Sequence, residues 1–104
     1  EGTGTNPEEL IGAALAGCVS MALSGDLAKA GYEVDEIRTE ASVSVENVNG
    51  GFKITKIVLD TKAIVPEINM DEFAELASGA KKNCPVSQAL TGVDIQLQAH
   101  LKKQ

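Results

Sequence analysis

Tryptophan is absent from this sequence, and one tyrosine and two phenylalanines are its whole aromatic content, 3% of 104 residues. So few rings exclude the stacking platforms on which nucleobases or sugars rest. Positive charge is scarce too. Nine lysines and arginines face fifteen acidic residues, and the net charge of −6 argues against nucleic acid and against anionic membrane surfaces as partners. There is one histidine, His100, and there are two cysteines, Cys18 and Cys84, 84 − 18 = 66 positions apart with no CxxC. That ligand supply fits no zinc spacing, so neither a metal nor another cofactor is expected. The apolar run from Leu10 to Leu23 is too short to span a bilayer and is bounded by acidic residues. No secretory signal pattern opens the chain, which points to a reducing, cytoplasmic compartment. There the two cysteines are either a redox pair or two unrelated core thiols. The length suits a single domain, residues 1–104, with a modest core.

What is present is organised around a helix. Asn6 is a good N-cap, Pro7 suits the first helical position, and Glu9 completes a capping box three residues after Asn6. Glu8 and Glu9 sit at the positive end of the helix dipole. No side chain from Leu10 to Leu23 is charged, so this helix belongs in the middle of the fold. Gly12 with Ala16, and Ala13 with Gly17, form a shallow groove that invites a second helix. Cys18 lies mid-helix. Leu27-Ala-Lys-Ala30 extends the helix to a stop at Gly31.

From Tyr32 to Glu46 the sequence alternates as a strand with one wet face. Ile37, Thr39, Ala41, Val43 and Val45 point inward, Arg38 and Glu40 outward. Asn49-Gly50 marks a hairpin turn. The return strand, Phe52 to Val65, changes phase between Ile54 and Ile57, which requires a bulge near Thr55-Lys56. Pro66 ends it. Asn69-Met-Asp-Glu72 caps a second helix with the apolar stripe Phe73, Ala77, Ala80 and then Cys84. Pro85 breaks that helix and starts a short turn to Leu90. Val93 to Leu101 alternates as a last strand, followed by a solvated tail, Lys102 to Gln104. The fold class is therefore α+β, two helices on a largely antiparallel sheet. Three strands cannot cover a helix that is apolar all round, so a second copy of the chain or further strands are expected against it.

Thr5-Asn-Pro-Glu-Glu-Leu10, Ala16-Gly-Cys-Val-Ser-Met-Ala-Leu23 and Cys84-Pro-Val-Ser-Gln88 resemble the OsmC/Ohr family of osmotically inducible and organic-hydroperoxide-resistance proteins. Gly17 before Cys18 and Val86 after Pro85 look more like the OsmC branch. The resemblance implies an intertwined homodimer with two central helices. It implies a thiol-dependent peroxidase that reduces organic hydroperoxides in oxidative or osmotic stress and is recycled by a dithiol reductant. By motif, Cys18 would be the peroxidatic cysteine, Cys84 the resolving cysteine that forms a disulfide with it, and Glu8 a carboxylate that pairs with a family arginine. In the family that arginine lies upstream. The only arginine here, Arg38, matches no catalytic position, so the chain reads as short at its N-terminus relative to the family. The alternative reading is a catalytically impaired, dimeric binding or structural protein of the same fold.

The bland readings stand beside these. A buried mid-helix cysteine is most often a core thiol, Cys84 is well placed to act as a plain helix cap, and Glu8 suits a first-turn dipole partner. A peroxidatic sulfur must be a thiolate, and apolar burial disfavours one unless a cation or hydrogen-bond donors compensate. Backbone N–H groups of residues 86 and 87 are expected to point at Cys84. Glu8 lies ten residues before Cys18, about 15 Å along a helix, so only Glu8 of a partner subunit would reach that sulfur.

Overall fold

The computed structural model describes residues 6–102. The polar lead of residues 1–5 and the last two residues of the tail lie outside the described residues. The element order is α1 (Pro7–Lys29), β1 (Glu36–Val48), β2 (Gly51–Ile64), α2 (Met70–Asn83), α3 (Pro85–Ala89) and β3 (Asp94–Lys102).

Both long helices start as their capping signals require. The Asn6 side chain accepts the Glu9 N–H at 2.8 Å, and Asn69 accepts the Glu72 N–H at 2.8 Å. α1 ends in a Schellman arrangement. Gly31, at φ +93°, donates to the Ala28 carbonyl, and Tyr32 donates to that of Leu27, each at 3.0 Å. This cap occupies Tyr32, so β1 begins at Glu36 rather than at Tyr32 as the alternation suggests. Tyr32 instead donates its hydroxyl to the Glu72 carboxylate and ties the α1–β1 connection to α2.

β1 and β2 form an antiparallel hairpin turned at Asn49 and Gly50, both at positive φ. The register steps between Ser44, opposite Lys56, and Val45, opposite Ile54, which leaves Thr55 as the extra residue of a bulge. The bulge is where the phase change places it. Beyond it Ile57, Leu59, Thr61 and Ala63 are buried, whereas Phe52 is 80% exposed near the hairpin tip. β3 pairs parallel to β2 at the other side, in the order β1-β2-β3. The sheet is therefore mixed, with the longer ladder antiparallel. The parallel pair arises because α2 and α3 carry the chain back across the sheet before β3 starts.

The core lies between α1, α2 and the sheet. Leu15, Val19, Leu23 and Leu27 of α1 are fully buried with Ile57 and Leu59 of β2 and Phe73 of α2. Each such side chain contributes about 1.5–3 kcal/mol. Polar groups enter this layer as a bonded chain. Ser20 donates to Thr39 at 2.6 Å, and Thr39 lies 3.0 Å from the buried Thr61 hydroxyl. α1 is longer than its uncharged run, and with 23 residues and an 18-residue window of mean hydropathy 1.6 it is long and apolar enough to cross a membrane. A third of the relevant window is buried in the fold, and Leu15, Leu23 and Leu27 fill the core. The opposite side of α1 has no cover from the described residues. Leu10 is 59% and Met21 78% exposed, and Ala13, Ala14 and Gly17 are exposed between them.

Candidate active site

Cys84 sits at the break between α2 and α3. The following proline forces an extended backbone, φ −70° and ψ 136°, so Cys84 ends one helix and caps the next. Its N–H still donates to the Ala80 carbonyl at 3.2 Å, and its Sγ accepts the Ser87 N–H at 3.2 Å. The Val86 amide also favours the charged form of this sulfur. The donor expected from residue 87 is thus in place.

Cys18 comes near this sulfur from α1, close enough for its thiol to act on the Cys84 ionisation. Both are reduced. Burial pushes the Cys84 thiol up, and the Cys18 thiol beside it adds to the rise. The Ser87 and Val86 amides act in the opposite sense and do not cancel it. Cys84 is buried at 1% exposure, whereas Cys18 is only half-buried. Cys18 is therefore not sealed inside the helix layer, as a mid-helix position in an apolar run suggests, but opens to one side.

It opens onto a groove of about 610 Å³ lined by Ala13, Ala14, Gly17, Cys18, Met21, Ala22 and Pro85. A larger cleft of about 840 Å³ lies on the other flank of α1, against β1, and includes Ala13, Ala16, Gly17, Ser20 and Thr39. It contains neither cysteine, so the smaller groove is the candidate site. Met21 and Pro85 are the walls that sequence reasoning gave no role. The available signal was the three-residue step from Cys18 to Met21, which places both on one side of a helix.

Glu8 is not brought to the cysteines within one chain. It is half-buried in the first turn of α1, on the same unbroken helix as Cys18. Arg38 is not brought there either. Thr39 points to α1 through Ser20, so Arg38 beside it faces the outer side of the sheet, where it pairs with Glu36 at 3.2 Å. His100 pairs with Asp60 at 2.9 Å, both part-exposed. Among the described residues no group of three His, Cys, Asp or Glu side chains is gathered for a metal.

Comparison with known proteins fits this arrangement. The family model for OsmC-like protein matches residues 1–98. Peroxiredoxin OsmC of Escherichia coli (strain K12) is 50% identical over 99 residues, covering 95% of this chain and 68% of its own. Organic hydroperoxide resistance protein OhrB of Bacillus subtilis (strain 168) is 36% identical over 99 residues, covering 92% of this chain and 70% of its own. The crystal structure of the Bacillus subtilis OhrB superposes with a TM-score of 0.80 at 34% identity, covering 97% of this chain and 73% of that one. The chain thus spans about two thirds of the length of the relatives it matches.

Proposed function

This chain belongs to the OsmC-like protein family, and on that premise we propose that it is a cytoplasmic, thiol-dependent peroxidase acting on organic hydroperoxides through Cys18 and Cys84. The observation that carries the reading is the proximity of the two thiols, with half-buried Cys18 lining an apolar groove and Cys84 buried. The relatives' names, a peroxiredoxin and an organic hydroperoxide resistance protein, support the same role.

The chemistry follows from that proximity. The Cys18 thiolate attacks the outer oxygen of R–O–O–H. The O–O bond breaks, the alcohol ROH leaves with a proton from solvent, and Cys18 becomes a sulfenic acid. Cys84, as thiolate, attacks the Cys18 sulfur, and hydroxide departs as water after protonation. The result is a Cys18–Cys84 disulfide. A dithiol reductant returns both cysteines to thiols by exchange. The Ser87 and Val86 amides are the donors that favour the Cys84 thiolate when it is needed.

The single OsmC-like domain acts as a homodimer in this reading. Two α1 helices crossing antiparallel near Ala13, over the small residues Ala13 and Gly17, bring Glu8 of a partner subunit to the level of Cys18. The partner would cover the α1 face left exposed at Leu10, Ala13 and Gly17. A second reading, the catalytically impaired dimer, rests on Arg38. The one arginine of this sequence is held by Glu36 on the far side of the sheet and supplies no positive charge to Cys18.

The test is consumption of cumene hydroperoxide with dithiothreitol. Turnover should vanish in Cys18→Ser. Cys84→Ser should accumulate a sulfenic acid on Cys18 that dimedone traps. Turnover that survives Cys18→Ser would defeat the proposal, and absence of turnover in the unaltered chain would favour the second reading.

A further inference from the structure

Basic residues are scarce in this chain, yet they converge at one end of the outer face of the sheet, the face turned away from α1 and the cysteines. Lys62 on β2 stands opposite Arg38 on β1 and opposite His100 on β3. One step nearer the end of the sheet, Ile64 stands opposite Glu36 of β1 and Lys102 of β3. Arg38, Lys62 and Lys102 are three of the nine lysines and arginines, gathered on adjacent strands about 4.8 Å apart. They line one hollow of about 230 Å³ with Glu36, Ala63 and Ile64. Like charges directly opposite, as at Arg38 and Lys62, destabilise a sheet. Arg38 has an acidic partner, Glu36, at 3.2 Å through Nη2. Among the described residues Lys62 and Lys102 have none.

We propose that this hollow is a binding site for a compact dianion, the phosphoryl group of inorganic phosphate or of a small phosphate monoester. The site is independent of the cysteine chemistry. A guanidinium carries further donors on Nε and Nη1, which fit two phosphoryl oxygens at once, and the two ammonium groups add point charges beside it. Three cations against the one carboxylate of Glu36 leave an excess of 3 − 1 = 2 positive charges in the lining, which matches a dianion. The charge pattern also limits the size of the ligand. Glu40 and Asp60 form the next row along the same face, so an extended polyanion would run from the cations onto carboxylates. The net charge of −6 repels it further. A single phosphoryl group stays over the cations. The hollow is severalfold larger than the share of one water, about 30 Å³, and leaves room for the first atoms of an ester.

The experiment is an NMR titration of the full chain with inorganic phosphate and, separately, with phenyl phosphate. Ionic strength is held constant at about pH 7.5, where the monoester is a dianion because its second pKa is about 6. The backbone amides of Glu36, Arg38, Lys62 and Lys102 should shift and saturate, and so should the imidazole signals of His100, the only histidine. The amides beside Cys18 should not move. Lys62→Ala should weaken binding of both ligands about tenfold, as expected for one lost charge-assisted contact. Arg38→Lys keeps the charge but loses the fork, and should weaken binding severalfold. Lys56→Ala, further along the same face of β2 and opposite Asp94, should stay within about twofold of the original. Tighter binding of phenyl phosphate identifies the ligand as a monoester, and equal binding identifies it as free phosphate. Shifts that grow without saturating, or an equal loss in Lys56→Ala and Lys62→Ala, overturn the proposal.

Discussion

Gly12 and Val43 approach so closely that a Cβ on the glycine would lie 2.7 Å from the Val43 Cγ2 methyl. Ala41 would stand 3.3 Å away on the same side. The glycine is what lets α1 lie down on β1. A β-branched neighbour cannot swing clear cheaply, so Gly12→Ala forces a shift of the helix or of Val43, costing about 1–3 kcal/mol. The gain in helix propensity offsets about 1 kcal/mol of that. Gly12→Ala should therefore be destabilising overall, by up to about 2 kcal/mol, in urea denaturation. Gly79, inside α2, has nothing within 4 Å of its would-be Cβ. Gly79→Ala should raise stability by up to about 1 kcal/mol.

Tyr32 is the only tyrosine, and there is no tryptophan, so its ionisation is directly readable by ultraviolet titration. Its hydrogen bond to Glu72 is the largest cause of a pKa raised above the ordinary 10.0, followed by desolvation and the charges of Glu72 and Glu67. The titration midpoint should lie above 10.0 in the folded chain and fall toward it in Glu72→Ala. An unchanged midpoint in that variant would remove Glu72 as the cause.

The raised pKa of Cys84 makes stability depend on pH in a definite sense. Burial is its main cause, so the folded state holds the Cys84 proton more tightly than the unfolded state. The contribution is fully present below the unfolded thiol value of about 8.5 and is lost as pH rises through the higher folded value. With reductant present, the urea midpoint should fall more between about pH 8 and about pH 10 in the unaltered chain than in Cys84→Ala. In the same pH range Cys84 should resist iodoacetamide longer than an ordinary thiol does.

The uncovered face of α1 predicts association. Sedimentation at micromolar concentration should give twice the 10.8 kDa chain mass, with more than about 2,000 Å² buried in total. Ala13→Arg should return the protein to a monomer with unchanged helix content, since Ala13 is exposed within one chain. A monomer before the substitution would exclude the seam.

The sequence by itself determined the elements and where they stop. Asn6, Asn69, Gly31, Asn49-Gly50 and Pro85 act through the backbone of their immediate neighbours, so their effects are readable without knowing what packs on what. The bulge at Thr55 was equally legible, because a period of two cannot change phase without an extra residue. The pairing of Cys18 with Cys84 was implied by a family resemblance and by no local rule. Only the tertiary structure brought the two thiols near each other, because only the crossing of α1 with the α2–α3 break sets that distance. The direction of β3 was undetermined for the same kind of reason: alternation tells which face a residue takes, not which way a strand runs. Exposure of Met21 was invisible as well. An apolar residue in an apolar helix reads as core until the number of faces the rest of the chain can cover is known, and here the described residues cover only one side.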